Sequence, residues 1–347
     1  MKKERVFYLD FIRAIAVVAI LLTHYNAVFV MAEVPQIQKV VLTYKVCNLY
    51  IGDFGVTLFF IISGAALMHV YEEKIQLKNF YKKRFCSIYP MFWLAYFVCF
   101  LYTFYTNKGF DHSIPKRNII LSIIGFDGYS IDVIPNFYLL GEWFVGCIIL
   151  IYVVFPLLRI GVNRYPKITV IIAVLLYIWS FIGYHGPFNK VEIITTRIPE
   201  ILFGMYFVKY IKKVPWQACI GALVVLVVNT VMKPKWDASL QTTYIGIASF
   251  CVLTFVSSYI TSVVIRRICF VISKYSYAVF LTHHVIITKM TGTFNIYNMT
   301  RTESYLLFLC CCMVIMLASY LLLEGDRRLQ SMTKGLWIEC SDRWKKK

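Results

Sequence analysis

Apolar residues fall in long, nearly unbroken runs along this chain, not in the alternating or one-faced patterns of a water-soluble domain. A helix needs about 20 predominantly apolar residues to cross the hydrocarbon core of a bilayer. On that scale the pattern predicts ten spanning helices, over about 6–31, 50–71, 88–106, 138–158, 168–185, 196–210, 217–232, 241–263, 270–290 and 303–323. The stretch from Lys116 to Asp127 is apolar in its middle but too short to span. With Gly125, Gly128 and Pro135 following, it reads as a re-entrant or interfacial segment. The fold class is therefore all-α, a polytopic membrane bundle of about ten helices.

The first run, VFYLDFIRAIAVVAILLTHYNAVFVM, is interrupted by Asp10, Arg13 and His24. An ionised Arg or Asp at a helix centre costs about 2.5–3.5 kcal/mol on insertion scales, so such groups face protein or water and mark function by default. Arg13 and His24 are eleven residues apart, which is three turns plus about 20°, so they share one face about 16 Å apart along the axis.

Composition agrees. Of 347 residues 59% are hydrophobic and mean hydropathy is +0.67, outside the range of ordinary soluble domains. The net charge of +18 comes from Lys and Arg clustered in short loops between apolar runs. No basic stripe is interleaved with aromatics, so nucleic acid is not an expected partner. With the N-terminus inside, twenty-four of the thirty-six basic residues fall on the cytoplasmic side and ten on the outer side, as the positive-inside rule requires. Nine or eleven spans would spoil that bias. Both termini are thus expected in the cytoplasm, with a transmembrane domain over 1–325 and a short basic tail over 326–347 against anionic headgroups.

Other classes fit less well. The start resembles a signal peptide in Lys2, Lys3 and Arg5, yet the run is too long and Arg13 breaks it. Of eleven Cys, most lie inside apolar runs, where a free thiol acts as a small hydrophobe. No CxxC pair or zinc spacing occurs, so neither a disulfide framework nor a metal is expected. No internal repeat supports an inverted-repeat transporter.

The predicted topology assigns depth. His24, His283, Glu142 and Asp53 fall in the outer half, with Arg197 and Glu200 near the start of the sixth span. Arg13 and Arg84 lie toward the cytoplasm. Each has a structural reading too: a helix–helix hydrogen bonder for His24, an interfacial anchor for Arg84, headgroup-level groups for Glu142 and Asp53, an ion pair for Arg197 and Glu200. Chemically, an imidazole near the outer face can take a proton from a hydroxyl, and arginines nearer the cytoplasm suit the phosphates of an anionic cosubstrate. Acyl transfer from a thioester matches that arrangement, and so would a proton-coupled transporter of a solute or lipid-linked sugar.

Five marks occur in order: DFIRAIAVVAILLTH with its Arg-x10-His spacing, GVTLFFIISGAAL with Ser63 and Gly64, KNFYKKRFCSIYPMFWL with its Tyr-Pro pair, RIPEILFGM, and SYAVFLTHH. Together they resemble acyltransferase family 3, polytopic membrane enzymes that O-acetylate cell-surface glycans. The resemblance implies an acyl-CoA donor (usually acetyl-CoA) as cosubstrate, no permanently bound cofactor, and a hydroxyl acceptor on an extracytoplasmic polysaccharide or its lipid-linked precursor. It implies His24 as the essential base with Arg13 beside it. Arg13 and Arg84 are then expected on the donor, and His283, Arg197, Glu142, Ser63 and Asp53 on or supporting the acceptor side. A bacterial cytoplasmic membrane is the expected location. A small-molecule acceptor is a further alternative. The pattern departs from the family at Ile148, where many members carry a Glu, and an appended extracellular hydrolase-like domain is not expected.

Overall fold

The structure, a computed structural model, describes residues 5–32, 36–109, 111–137 and 139–345. Among them it contains eleven α-helices and one two-residue-per-strand hairpin, Lys45–Val46 with Leu49–Tyr50. Helices α1 (Phe7–Val30) and α2 (Ile51–Tyr71) match the first two predicted spans to within a residue. They are followed by α3 (Leu77–Thr106), the short α4 (Ile119–Ile124) and α5 (Glu142–Arg164). Then come α6 (Pro166–Ile182), α7 (Ile194–Tyr206) with a π-helical turn over Phe207–Ile211, and α8 (Trp216–Met232). Helices α9 (Ala238–Ser257), α10 (Val263–Thr291) and α11 (Arg301–Lys345) complete the chain.

Six of these are long and apolar enough to cross a membrane: α1, α2, α3, α5, α9 and the part of α11 up to Met332. Helices α6 and α8 are apolar but shorter. Three helices exceed their predicted bounds by seven residues or more at one end. Helix α3 begins eleven residues before the expected 88, α10 seven before the expected 270, and α11 runs on through the basic tail. In each case the added turns carry Lys and Arg, whose stems can lie along apolar surface while the charge reaches outward. Residues 1–4, with Lys2 and Lys3, and the final 346–347 of the tail lie outside the described residues.

Close contacts set helix directions. A Cβ on Gly52 would meet Thr23, and one on Gly55 would meet Ala19, so α1 and α2 run antiparallel. Arg13 reaches Ser273 while His24 meets His283, so α1 and α10 run parallel. Helices α2 and α7 cross with their backbones touching: a Cβ on Gly64 would lie 2.1 Å from the Ile201 carbonyl oxygen, and one on Gly204 2.0 Å from that of Ile61. Small residues that let backbones meet are the usual means of helix association in lipid, where no hydrophobic drive exists between helices.

Burial separates core from periphery. In α2, 72% of the central window is buried, against 22% in α11. Helices α6 and α8 likewise present large apolar side chains outward, among them Ile171, Leu175, Val224 and Val227. Helices α1, α2, α7 and α9 therefore form the interior, and α10 lies along the polar face of α1.

The Lys116–Asp127 segment does not cross. It forms a 3-10 turn and α4, then reverses at Gly125 and lies against α3. Trp93 Nε1 donates to the Ile123 carbonyl at 2.8 Å, and Tyr89 donates to that of Ile124 at 3.0 Å.

Candidate active site

The polar face of α1 carries two clusters. At the His24 end, α1, α5 and α10 converge. His24 Nε2 lies 3.2 Å from Glu142 Oε1, and His283 Nε2 lies 3.8 Å from the same oxygen. The two imidazoles meet edge to face at 4.7 Å between centroids, with the His284 ring 5.1 Å from that of His24. Exposure falls from 22% for the His24 side chain through 17% for Glu142 to zero for His283.

Local structure fixes each group. Glu142 is the first residue of α5, preceded by Gly141 in the left-handed region at φ 87°. That conformation is routine only for glycine, and a Cβ there would also strike the Phe92 ring at 2.7 Å. Behind Glu142 lies the segment after α4, where a Cβ on Gly128 would sit 2.6 Å from the Glu142 backbone. Asp127 anchors this segment, accepting from the Gly128 amide at 2.9 Å, and burial pushes its carboxyl above the usual range. His283 Nδ1 is 2.7 Å from the Phe280 carbonyl and 3.1 Å from that of Val279. Carbonyls only accept, so Nδ1 carries the proton and Nε2 keeps its lone pair. Both His283 Nε2 and Glu142 Oε1 are buried without a well-aligned hydrogen-bond partner among the described residues.

Two acceptor atoms thus stand side by side next to an imidazole that can gain or lose a proton. The arrangement suits a hydroxyl donated into the cluster. The ligand atoms of His24, Glu142 and His283 all lie within 4.8 Å of one another. A divalent ion could use them only if they closed in further, since zinc–nitrogen bonds are about 2.0–2.1 Å.

At the other end of the face Arg13 donates to Ser273 Oγ at 3.1 Å, and Ser273 donates to Asp10 Oδ1 at 2.7 Å. Asp10 is already clamped by Arg5, whose NH2 donates to Oδ1 at 2.7 Å. Arg84, on α3, lies over the rings of Tyr152 at 5.4 Å and Phe80 at 5.9 Å. Its Nε is buried without a partner, and among the described residues no carboxylate pairs with it. Tyr152 also lies within electrostatic reach of Arg13.

The remaining expected residues lie apart from the histidines. Arg197 and Glu200 form a fully buried pair at 2.9 Å, with Arg197 Nε donating to the Val191 carbonyl at 2.6 Å. The guanidinium also sits over Phe60 and Trp143, at 5.3 and 5.5 Å, bracing the residue that follows Glu142. Asp53 lies within reach of the Arg197 charge. Ser63 is half-buried on α2 beside Gly64, and among the described residues no hydrogen bond joins it to His24, Glu142 or His283. Ile148 is buried in an apolar cluster with Cys147 and Ile151. Glu142, one residue before Trp143, is the carboxylate that meets the first-helix histidine. Sequence reasoning left out Tyr152 and Ser273 and preferred His283 to its neighbour His284 on register; proximity in the fold brings all three in.

The acyltransferase domain of acyltransferase family 3 matches residues 6–324, nearly the whole chain. No curated protein and no solved structure matches it. The chain belongs to acyltransferase family 3, and its apolar helices make it a membrane acyltransferase.

Proposed function

We propose that this acyltransferase moves an acetyl group from cytoplasmic acetyl-CoA to a hydroxyl of an extracytoplasmic cell-surface polysaccharide or its lipid-linked precursor. The observation that carries the reading is the buried, unsatisfied acceptor His283 Nε2, beside the Glu142 carboxylate that pairs with the more exposed His24. A buried acceptor without a partner costs about 1–3 kcal/mol, and a sugar hydroxyl entering the cluster relieves that cost.

His24 accepts the hydrogen bond of the reacting hydroxyl and removes its proton as the oxygen attacks the thioester carbonyl, while His283 Nε2 orients the sugar by accepting from a neighbouring hydroxyl. The oxygen–carbon bond forms, the carbon–sulfur bond breaks, and the proton taken by His24 passes to the departing thiolate. Glu142 holds the His24 ring and stabilises the imidazolium, much as a buried carboxylate does for a catalytic histidine elsewhere. Arg13 and Arg84 hold the donor phosphates through charge-assisted bonds. The shared face of α1 lets the thioester, at the end of the flexible arm of coenzyme A, approach His24 while its phosphates stay near Arg13. The charge bias of the loops supports His24 outward and Arg13 inward.

The test is transfer of labelled acetyl from acetyl-CoA to surface glycan in membranes carrying His24→Ala. Glycan acetylation disappears while protein abundance and CoA-dependent thermal stabilisation persist. Acetylation retained in that variant overturns the reading.

A further inference from the structure

Helices α3, α10 and α11 enclose a cleft of about 650 Å3 on the side of α10 away from α1. It runs from Leu94 to Tyr102 on α3, Leu281 to Met290 on α10 and Val314 to Gly325 on α11, a length of about 12–16 Å along the helices. Its walls are apolar, and outward-facing Val98, Leu321 and Val314 make it open at the bundle's lipid-facing side.

Three features distinguish it from ordinary lipid-facing surface. The first is its use of small residues. Gly64 and Gly204 bring α2 and α7 into backbone contact, whereas Ala95 and Ala318 line the cleft between α3 and α11 and a Cβ on Gly325 would meet only the Leu94 side chain, at 3.2 Å. Membrane helices gain little from leaving such space between them, so the cleft is shaped to hold something. The second is its charge. Lys289 is the only charged group in the lining, exposed in the last turn of α10 and resting over the Tyr102 ring at 5.6 Å. Among the described residues no carboxylate pairs with it. The third is its neighbour. Leu140 lines the cleft two residues before Glu142, and Leu281 and Thr282 line it immediately before His283. Lys289 is six residues beyond His283, about 9 Å nearer the outer end of α10.

We propose that this cleft binds the isoprenoid tail of a lipid-linked acceptor glycan, with its phosphate at Lys289 and its sugars reaching over the Leu140–Glu142 turn to the histidines. The inference rests on the acyl-transfer reading for the glycan's role, and it selects the lipid-linked precursor over the finished polysaccharide. Tail burial supplies affinity in proportion to apolar contact. A lysine near a phosphate adds about 1 kcal/mol.

The experiment uses the full chain in nanodiscs of zwitterionic lipid, labelled with a polyprenyl phosphate bearing a photoreactive diazirine in its tail. Labelling is expected on α3, α10 and α11 at the cleft, competed by unlabelled polyprenyl phosphate and not by the same concentration of phosphatidylglycerol. Lys289→Ala weakens labelling about fivefold, the loss of one such cation. Ala318→Trp, which fills the cleft, removes it. Both variants are checked for folding by CoA-dependent thermal stabilisation, which reads the donor side. Equal competition by phosphatidylglycerol identifies a seat for bulk lipid and overturns the proposal, as does labelling elsewhere on the chain. Labelling at the cleft of a protein that transfers no acetyl sinks the enzymatic reading and leaves the tail site standing.

Discussion

The two ends of one helix face make an instructive contrast. Around His24 the polar atoms are acceptors and titratable rings, drawn from α1, α5 and α10, and two of them lack a well-aligned hydrogen-bond partner. Around Arg13 the polar atoms are fixed cations, and the acidic residue present, Asp10, is already bound by Arg5. One end is equipped to exchange a proton; the other is equipped to hold an anion. About 16 Å of α1 separates them, so one rigid element sets the distance between binding and chemistry.

Substitutions at the two ends should therefore fail differently. His24→Ala removes the proton acceptor, and general-base catalysis is worth about 10²–10⁴-fold. We expect kcat to fall toward the larger figure while the KM for acetyl-CoA stays within about twofold. Glu142→Gln, which keeps the shape and loses the charge, should fall by less and leave donor KM equally unmoved. A matching rise in donor KM for either variant would merge the two ends into one site.

Arg197 supplies the next largest effect, and on stability rather than rate. Breaking a buried ion pair by removing one partner costs about 3–5 kcal/mol because the other charge is stranded. Arg197→Ala strands Glu200, whose side chain is fully buried. We expect a strong loss of thermal stability in detergent, partly restored by adding Glu200→Ala. No restoration would mean that the guanidinium acts chiefly through its contacts with Phe60 and Trp143.

At the cationic end a hydrogen bond to a charged group contributes about 1.5–3 kcal/mol, or about 10- to 100-fold in affinity. Arg13→Gln and Arg84→Gln should each raise the KM for acetyl-CoA within that range and change kcat little. A fall in kcat with unchanged KM would place either arginine at the reaction instead.

These outcomes also measure what the chain's pattern disclosed. Helices α1 and α2 were legible because their apolar runs end abruptly at polar residues, and the Arg13–His24 face because helical periodicity is local. Helix α3 was predicted to start at 88, not at Leu77, because its first turns carry the basic cluster from Lys78 to Arg84. Such a cluster reads as loop in a hydropathy scan and folds as helix at the membrane edge. The pairing of Glu142 with His24 spans 118 positions and depends on a left-handed glycine and a reversed segment behind it. No spacing rule contains that information. Tyr152 was missed for the same reason: it is one tyrosine among twenty-five until the fold sets Arg84, from another helix, over its ring.

The smallest expected effect lies on the rim beside the proton-exchanging end. Glu192 precedes α7 outside the spans, and burial, reinforced by the charge of Asp132 and opposed by that of Arg197, pushes its carboxyl from 4.5 up to about 7. A folded value above the unfolded one means that the folded protein binds the proton more tightly. The resulting stabilisation is complete below about pH 4.5 and is lost as pH rises through about 7. Because Glu192 is only partly shielded from solvent, the effect is small, a melting shift on the order of one or two degrees between pH 5 and pH 8. Glu192→Gln should flatten that slope without altering the KM for acetyl-CoA. A pH slope of the same sign that survives the substitution would place the titrating group on another buried carboxyl, of which Asp127, in the segment packed behind Glu142 and raised by burial, is the nearest example.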